Sequence, residues 1–313
     1  MTILITGIHG FVGSNLVATL KEQHTIYGLD IVSHQKEGIV KTYGWNELEK
    51  IPSLDLIIHL AGLAHDTKNT LDAQEYFEIN VGLTKQVFDY FLKSKANKFI
   101  FFSSVKAVVD SVQGEMLTED CLPDPHTPYG KSKLEAERYI LSQPIPEGQN
   151  IYILRSCMIH GPGNKGNLNL LYKFVKTGIP YPLGVFENMR SFTSIENLTF
   201  ILKQIIEKDI TPGIYQVADD EALSTNEVIS QIAIALGKKA RIWKLNKQLI
   251  ITLAKAGDLL HLPLNSERLK KLTENYIVSN TRLKEALGIE YMRFSASEGL
   301  RYTLDSFIQI SQP

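Results

Sequence analysis

A tyrosine and a lysine one helical turn apart form the most reactive pair that the sequence offers. Tyr129 and Lys133 are four positions apart, so in a helix they lie on one face. A free phenol has a pKa of about 10, which is too high for a base at neutral pH. A neighbouring ammonium group stabilises the phenolate and lowers that pKa. The pair therefore predicts general acid/base chemistry centred on Tyr129.

The same spacing recurs at Tyr172 and Lys176, so the surrounding sequence has to separate the two pairs. Tyr129 follows an apolar strand candidate that ends in Ser103 and Ser104, which would present hydroxyl groups at the edge of a sheet. No such serine-bearing strand precedes Tyr172. We therefore expect the first pair to be catalytic and Tyr172 to lie on an ordinary helix surface.

Three glycines recur at a three-residue spacing directly after the first apolar segment. Glycine permits a tight turn, close approach to a pyrophosphate and close packing of helix on strand. The N-terminus of the helix that follows also favours phosphate groups. This arrangement predicts a dinucleotide site. The predicted cofactor residues of the turn are Gly7, His9, Gly10, Phe11, Val12 and Gly13.

The ends of two further strand candidates extend the predicted cofactor site. Asp30 ends the second candidate, 17 residues after Gly13, where a carboxylate can accept hydrogen bonds from ribose hydroxyls. This carboxylate would repel a 2′-phosphate, and residues 31–33 add no Arg or Lys, so NAD(H) is favoured over NADP(H). A strand end that contacts a cofactor favours small residues. The segment Leu60, Ala61 and Gly62, with alanine and glycine at its last two positions, fits such a strand end.

Short apolar segments alternate with helical patterns through the first half of the chain. Such nearly continuous hydrophobicity is typical of strands buried on both faces of a parallel sheet. The pattern predicts an α/β fold, a Rossmann-type doubly wound parallel sheet with a smaller C-terminal substrate lobe. The strand candidates are 3–6, 25–30, 54–60, 98–103, 151–155 and 214–217. The helix candidates are 12–22, 73–94, 131–142, 168–176, 195–206, 226–236, 247–260 and 266–274.

The length of 313 residues favours two packed lobes. We expect an NAD-binding Rossmann domain over 1–165, which the chain re-enters around 190–217. The remaining residues, 166–189 and 218–313, are expected to form the substrate-binding lobe.

Charge and cysteine content exclude several classes of function. The 33 Lys and Arg residues balance 34 Asp and Glu, so no basic face predicts a nucleic-acid partner. The two cysteines and the scattered histidines predict no metal site. The sequence shows neither a signal peptide nor an apolar run long enough to cross a bilayer. We therefore expect a cytoplasmic protein without a membrane partner.

Taken in order, these motifs resemble the extended short-chain dehydrogenase/reductase family, which includes the NAD-dependent epimerases and dehydratases. The motifs are the glycine turn, Asp30, residues 60–62, Asn80, Ser104 and Tyr129-x-x-x-Lys133. Segments 155–163 and 190–198 also resemble family motifs, so the resemblance covers essentially the whole chain. The nearest subgroup comprises nucleotide-sugar (UDP-hexose) 4-epimerases and UDP-4-keto-6-deoxy-hexosamine C4 reductases.

The resemblance implies NAD as cofactor, a UDP-linked hexose(amine) as substrate and a homodimer. It makes Tyr129 the acid/base, and Lys133 the residue that tunes it and holds the nicotinamide ribose. Ser104, rather than Ser103, then hydrogen-bonds the reacting oxygen, and Asn80 lies close to the cofactor.

The resemblance also supplies candidates for substrate binding. They are Ser104, Lys106, Asn167, Arg190 and Arg268. Lys106 either reaches the substrate or is only solvated, and Asn167 either holds a phosphate or caps the next helix. Arg190 and Arg268 are candidates for the diphosphate, with a surface ion pair as the alternative for Arg190.

Several departures from the family pattern limit the reaction. Residues 107–109 read Ala-Val-Val where the family has Val-Tyr-Gly, and Met158 replaces a substrate-binding Asn of many galactose-type epimerases. A 4,6-dehydratase needs an Asp-Glu pair where this chain has Val105 and Lys106, so elimination of water is disfavoured. The same residues serve an epimerase and a C4 reductase, and we favour the epimerase. A non-catalytic dinucleotide sensor is disfavoured because the Tyr–Lys pair is present.

Overall fold

The computed structural model describes residues 1–64, 72–112, 114–164, 166–260 and 265–310. The strands of this part are β1 (Thr2–Thr6), β2 (Thr25–Leu29), β3 (Lys41–Tyr43), β4 (Leu56–His59), β5 (Lys98–Ser104), β6 (Asn150–Ser156), β7 (Met158–His160), β8 (Met189–Arg190), β9 (Phe192–Ser194), β10 (Gly213–Val217) and β11 (Leu223–Ser224).

The helices of the described part begin and end as follows. They are α1 (Phe11–Leu20), α2 (Ala73–Tyr76), α3 (Gly82–Lys93), α4 (Pro128–Ser142), α5 (Asn167–Lys176), α6 (Ile195–Glu207), α7 (Thr225–Ala235), α8 (Lys247–Leu260), α9 (Ser266–Thr273), α10 (Thr281–Leu287) and α11 (Ala296–Ile310). A π-helical turn at Phe77–Val81 joins α2 to α3.

Seven of the described strands form one parallel sheet in the order β3-β2-β1-β4-β5-β6-β10. The strand order reverses at β1, whose neighbours are β2 on one side and β4 on the other. A ligand of such a sheet binds outside the carboxyl ends of the strands at this reversal. Thr6 of β1 pairs with Leu29 and His59 there, so the predicted cofactor segments start at one edge of the sheet. The predicted doubly wound parallel sheet is confirmed.

The central strands are buried on both faces, as their continuous hydrophobicity predicts. One core cluster packs α1, α6 and α10 against the sheet, and a second packs α3 and α4 against its other face. Leu283 and Leu287 of α10 belong to the first cluster, although the sequence-based division places 218–313 in the smaller lobe.

A third core cluster lies in the C-terminal part of the chain and contains Tyr172. Tyr172 is only 4% exposed, and its ring packs edge to face against Phe307 at 5.2 Å. The expectation that Tyr172 lies on an ordinary helix surface is therefore wrong. Leu168, Tyr172 and Val175 follow one another at helical spacing and form the buried face of α5.

Several strands and helices could not be predicted from the periodicity of apolar residues. Strands β3, β7, β8, β9 and β11 have two or three residues each, too few to show an alternating pattern. Helices α10 and α11 were not predicted, and the predicted helix 73–94 is divided by the π-helical turn.

Two negative findings apply to the described part of the chain. None of its helices has both the length and the apolar composition that crossing a membrane requires. Within the same residues, no group of three His, Cys, Asp or Glu side chains is arranged to hold a metal ion.

Candidate active site

The turn between β1 and α1 requires glycine for two separate reasons. Gly7 has a φ of +66°, in the left-handed region that other residues rarely adopt. A Cβ atom on Gly13 would lie 2.6 Å from the carbonyl oxygen of Gly7, so a side chain there would break the packing of helix on turn. The turn can therefore pass close to a ligand.

The start of α1 fits the phosphate groups of a dinucleotide. Its N-cap, Gly10, offers no side chain to the first-turn amides, and that turn has no acidic residue. Uncapped amides at a helix N-terminus attract anions. Asn15, one turn further on, donates to the carbonyl of Pro162 (3.1 Å), which joins the 161–164 turn to this helix.

Asp30 lies directly beside the glycine turn. Its Oδ2 atom accepts a hydrogen bond from the amide of His9 at 3.0 Å, and its Oδ1 atom accepts one from the amide of Ile31 at 2.8 Å. The two bonds hold the carboxylate at the end of β2, where it can accept hydrogen bonds from a ribose. The structure thus brings His9 and Asp30 together as the sequence predicts.

Lys36 lies beside the predicted cofactor turn, and the sequence analysis did not identify it. Its Nζ atom donates to Ser14 Oγ at 2.7 Å, which places an ammonium group beside the first turns of α1. The rings of His9 and His34 lie against each other nearby, tilted by 35° with centroids 4.0 Å apart. Burial, followed by the charge of His34, lowers the pKa of His9. Lys36 lies three positions beyond segment 31–33, which contains no Lys or Arg.

A buried hydrogen-bond relay fixes the end of β4. Thr84 donates its hydroxyl proton to the carbonyl of Asn80 at 2.6 Å, so its oxygen accepts from His59 Nε2 at 3.0 Å. The Nδ1 atom of His59 is then an acceptor for the hydroxyl of Thr6 at 2.7 Å. Burial lowers the pKa of His59 to about 3, in agreement with this neutral tautomer.

The relay orients residues 60–62 against the glycine turn. Thr6 Oγ1 accepts hydrogen bonds from the amides of Leu60 and Ala61 at 3.1 and 3.0 Å. A Cβ atom on Gly7 would lie 3.1 Å from the backbone of Ala61, so the turn and the end of β4 nearly touch. Sequence reasoning found residues 60–62 but not the buried side chains that hold them.

Tyr129 occupies the first turn of α4, and its side chain hydrogen-bonds that of Ser104 at the end of β5. Thr127 caps the helix by accepting from the amide of Gly130 at 3.2 Å. Asp110 fixes this cap, because it accepts from the hydroxyl of Thr127 at 2.7 Å. The catalytic tyrosine of the prediction therefore lies on a rigid helix start beside the predicted serine.

The electrostatics of Tyr129 differ from the simple expectation. Burial raises the pKa of its phenol above the ordinary value, and the hydrogen bond with Ser104 opposes that shift. Lys133 does not lower the phenol pKa in the protein alone. Burial instead lowers the pKa of Lys133 itself to about 8, while the charge of Glu137 opposes that change. Tyr129 is therefore protonated in the protein alone at neutral pH, and Lys133 is mostly charged.

Lys133, Gly62 and Asn80 meet beside this pair. Lys133 Nζ donates to the carbonyl of Phe102 at 2.8 Å, and a Cβ atom on Gly62 would lie 3.4 Å from this nitrogen and only 2.7 Å from Asn80 Oδ1. Asn80 Oδ1 accepts from the amide of Leu63 at 2.7 Å. Its amide nitrogen donates to Ser132 Oγ at 2.9 Å. Position 62 must therefore be occupied by glycine or a very small residue. Asn80 connects this segment to α4 through Leu63 and Ser132.

An ion pair lies buried behind Lys133. Arg155 donates to both carboxylate oxygens of Glu137, at 3.0 Å from Nε and 2.6 Å from Nη2. Ser103 Oγ also hydrogen-bonds Glu137. Ser103 thus contacts the interior pair, whereas Ser104 contacts Tyr129. Sequence reasoning missed Glu137, although it follows Lys133 by one helical turn.

Tyr276 connects the predicted substrate residues Lys106 and Arg190. Arg190 forms a β-bridge with Tyr276, and the Tyr276 hydroxyl donates to the carbonyl of Val109 at 2.7 Å. Lys106 Nζ lies 4.2 Å from the centre of the Tyr276 ring and donates to the carbonyl of Asp110 at 2.6 Å. Lys106 is thus held within the loop after β5, and the alternative that it is only solvated is wrong.

Arg190 is half-buried, and burial lowers its pKa while the charge of Glu274 opposes the change. Arg268 is exposed on α9. Asn167 is exposed and is the first residue of α5, whose N-cap is Gly166. The reading of Asn167 as the N-cap is therefore wrong. Asn164 instead supports this helix start, accepting from the amide of Gly166 at 2.7 Å.

Comparison with known proteins agrees with this geometry. The sequence pattern of the NAD dependent epimerase/dehydratase family matches residues 3–218. A UDP-glucose 4-epimerase of Vibrio cholerae is 31% identical over 330 aligned positions, which cover 98% of this chain and 96% of the relative. An N-acetyl-alpha-D-glucosaminyl-diphospho-ditrans,octacis-undecaprenol 4-epimerase of Escherichia coli O157:H7 is 26% identical over 76% of this chain and 73% of its own length.

A solved structure supports the fold. MoeE5 in complex with UDP-glucuronic acid and NAD superposes with a TM-score of 0.78 at 21% identity, over 99% of this chain and 100% of that chain. The match to the family pattern and the V. cholerae relative establish that the chain belongs to the NAD dependent epimerase/dehydratase family. The expected family is confirmed, and the expected NAD cofactor agrees with the family's dependence on NAD.

We expect Asp30→Ala to weaken NAD binding by about tenfold or more, because a charged hydrogen-bond acceptor is removed. Binding of NADP should improve relative to NAD, since the repulsion of a 2′-phosphate disappears with the carboxylate. Calorimetric titration of both cofactors measures the two constants.

Asp55→Ala is the matched control, because Asp55 accepts the amide of Thr2 at the opposite end of the sheet. It should leave cofactor affinity unchanged. A strong preference of the unmodified protein for NADPH would contradict the role given to Asp30.

We expect Glu137→Gln to lower the free energy of unfolding by about 3 kcal/mol, because it leaves the buried guanidinium of Arg155 without its counter-charge. It should also lower the pKa of Lys133, which the charge of Glu137 raises. Urea unfolding measures the first effect, and NMR titration of the lysine measures the second.

The exposed pair of Lys21 and Glu37 provides the comparison, with 2.6 Å between Lys21 Nζ and the carboxylate. Glu37→Gln should change stability far less than Glu137→Gln, because both charges of the surface pair are solvated. Equal losses from the two substitutions would show that the Glu137 pair contributes no more than a surface contact.

Proposed function

We propose that the protein is an NAD-dependent nucleotide-sugar 4-epimerase that acts at C4 of a UDP-hexose or UDP-hexosamine. The observation that carries this proposal is the position of Tyr129, which interacts with Ser104 at the end of β5, on the same edge of the sheet as the glycine turn after β1. The names of the V. cholerae and E. coli relatives, both 4-epimerases, support the choice of reaction.

Tyr129 is the acid/base of the proposed reaction. It takes the proton of the C4 hydroxyl when hydride leaves C4, and it returns a proton to the C4 oxygen when hydride comes back. NAD, when bound, supplies the hydride acceptor and donor. Ser104 hydrogen-bonds the same oxygen.

Lys133 supports the proton transfer by its charge. Its ammonium group lies next to Gly62 and the carbonyl of Phe102, so it is fixed in a largely buried position. With the cofactor bound, a positive charge there would favour the phenolate form that Tyr129 adopts after it has lost its proton, whereas in the protein alone the burial of the phenol dominates its pKa. The same group can hold a ribose hydroxyl of the cofactor, the role that the family resemblance implies.

We assign substrate binding to the region around Arg190 of β8, which forms a β-bridge with Tyr276. Arg190 is a half-buried cation that burial disfavours, so an anionic ligand such as a diphosphate would offset the loss of hydration. Arg268 is a second candidate on α9, and Asn167 is a third at the first position of α5. We also propose a homodimer and a cytoplasmic location.

A dehydratase reaction is disfavoured by the residues after Ser104. Val105 has no ionisable group, and Lys106 is engaged with Asp110 and Tyr276, so the chain lacks at these positions the acid pair that would move protons at C5 and C6 of a hexose. A UDP-4-keto-6-deoxy-hexosamine C4 reductase is the second candidate, because donation of a proton by Tyr129 to a C4 ketone is half of the epimerase reaction.

Tyr129→Phe should reduce turnover by about two orders of magnitude or more while the protein folds and binds NAD, because only the phenolic proton is lost. Tyr172→Phe, in the other Tyr–Lys pair, should leave turnover nearly unchanged. Steady-state kinetics with thermal unfolding of each variant provide the measurement. Equal losses at the two positions would refute the choice of Tyr129.

The two candidate reactions differ in their need for a reductant. Without added reductant, an epimerase interconverts UDP-glucose or UDP-N-acetylglucosamine with its C4 epimer. A reductase leaves these sugars unchanged and oxidises NADH in proportion to added UDP-4-keto-6-deoxy-hexosamine. NMR of the sugar ring and absorbance of reduced nicotinamide distinguish the two results. Formation of a 4-keto-6-deoxy sugar from an intact UDP-hexose would contradict the argument from Val105 and Lys106.

A further inference from the structure

Helix α8 presents an apolar stripe to solvent. Leu249, Leu253 and Leu260 are 53%, 52% and 63% exposed, and their spacing places them within about 40° of one another around the helix. The face that packs on the rest of the protein is a different one, formed by Ile250 and Ala254. The three leucines of the stripe therefore do not belong to the hydrophobic core and form an apolar patch on the surface.

The segment before α8 adds an exposed tryptophan on a fixed backbone. Trp243 is 56% exposed. Its amide donates to the carbonyl of Tyr181 at 2.8 Å, and its carbonyl accepts from the amide of Gly184 at 3.0 Å. The ring is thus presented to solvent by a backbone that is tied on both sides, and Leu245 next to it is also exposed.

Positive charge is concentrated in the same part of the chain. Residues 238–260, which we call the basic segment, contain six Lys or Arg and one acidic residue, Asp258. The net charge of the basic segment is therefore 6 − 1 = +5, whereas the whole chain carries −1. Lys239 and Arg241 also line a groove with the exposed Ile179, which extends the mixture of cationic and apolar groups onto the end of α5.

We propose that the basic segment binds the surface of an anionic phospholipid bilayer. Leucines on one helix stripe and a neighbouring tryptophan are the groups that enter the boundary between headgroups and acyl chains. The negative potential of anionic lipids attracts the cations of the basic segment, four of which precede α8, although one of them, Lys244, also lies 3.7 Å from a carboxylate oxygen of Glu187. Such binding needs no membrane-crossing helix, and none occurs in the described part of the chain. The proposal departs from the sequence-based expectation that the protein has no membrane partner.

Charge favours a lipid surface over the other occupants of this face. A symmetric contact between two copies would bring two segments of net charge +5 together, which like-charge repulsion disfavours. The core of a protein interface is typically depleted of Lys, which is abundant here. Helix α9, which carries Arg268, packs on α8, so bilayer binding would place this end of the smaller lobe at the membrane surface. The inference does not depend on the proposed reaction.

The test is co-sedimentation of the full-length protein with vesicles. We expect binding to vesicles that contain phosphatidylglycerol, and binding at least about tenfold weaker to vesicles of phosphatidylcholine alone, because the lysines need anionic headgroups. The double variant Leu249→Ser/Leu253→Ser should lower the partition onto phosphatidylglycerol vesicles by about tenfold or more. Circular dichroism and NAD binding show whether this variant remains folded.

Leu141→Ser/Leu170→Ser is the matched control, because these leucines lie on α4 and α5 and are 57% and 55% exposed. It should bind vesicles like the unmodified protein. Trp45→Phe leaves Trp243 as the one tryptophan of the chain, and its fluorescence should shift to shorter wavelength when phosphatidylglycerol vesicles are added.

Three results would overturn the proposal. The first is no sedimentation with phosphatidylglycerol vesicles, and the second is equal binding by the Leu249→Ser/Leu253→Ser variant. The third is an oligomer that this variant dissociates in analytical ultracentrifugation while vesicle binding persists, since the stripe would then be an interface between copies.

Discussion

The near-contact between the glycine turn and the end of β4 is the constraint on which the site depends. The two backbones approach so closely that a Cβ atom on Gly7 would lie 3.1 Å from Ala61. The Thr6–His59–Thr84 relay holds the two backbones at this distance from inside the sheet. Its hydroxyl groups and imidazole form one continuous chain of hydrogen bonds from β1 to α3. Its last acceptor is the carbonyl of Asn80, so cofactor turn and active-site helix are positioned by one buried network.

Charge around α4 is arranged in layers behind that contact. Tyr129 hydrogen-bonds Ser104 at the strand edge, and Lys133 lies one turn deeper beside Gly62. The pair of Glu137 and Arg155 lies a further turn inside, where neither charge is solvated. The layers are a protonated phenol, a lysine with a lowered pKa and a neutralised pair, and the half-buried Tyr129 is the most exposed of these groups.

Sequence reasoning succeeded where a feature is local and failed where it depends on packing. The glycine turn and Asp30 each follow a strand directly, and Tyr129 and Lys133 are one helical turn apart. Their sequence positions therefore predict which of these residues lie close together. His59, Glu137 and Lys36 were missed because their partners lie far apart in sequence or in a loop, so no periodicity marks them. Tyr172 was placed on the surface because no serine-bearing strand precedes it, and α11, whose Phe307 packs against it, was not predicted.

The most direct test of the central claim follows a deuterium atom at C4 of a UDP-hexose incubated with the NAD-bound protein in ordinary water. Hydride that leaves C4 and returns to the other face should keep the deuterium at C4 in both epimers, while the C4 oxygen exchanges only its proton through Tyr129. NMR of both epimers should therefore show full retention of deuterium at C4. Epimers that have lost the label to solvent, or the absence of any C4 epimer, would contradict the account.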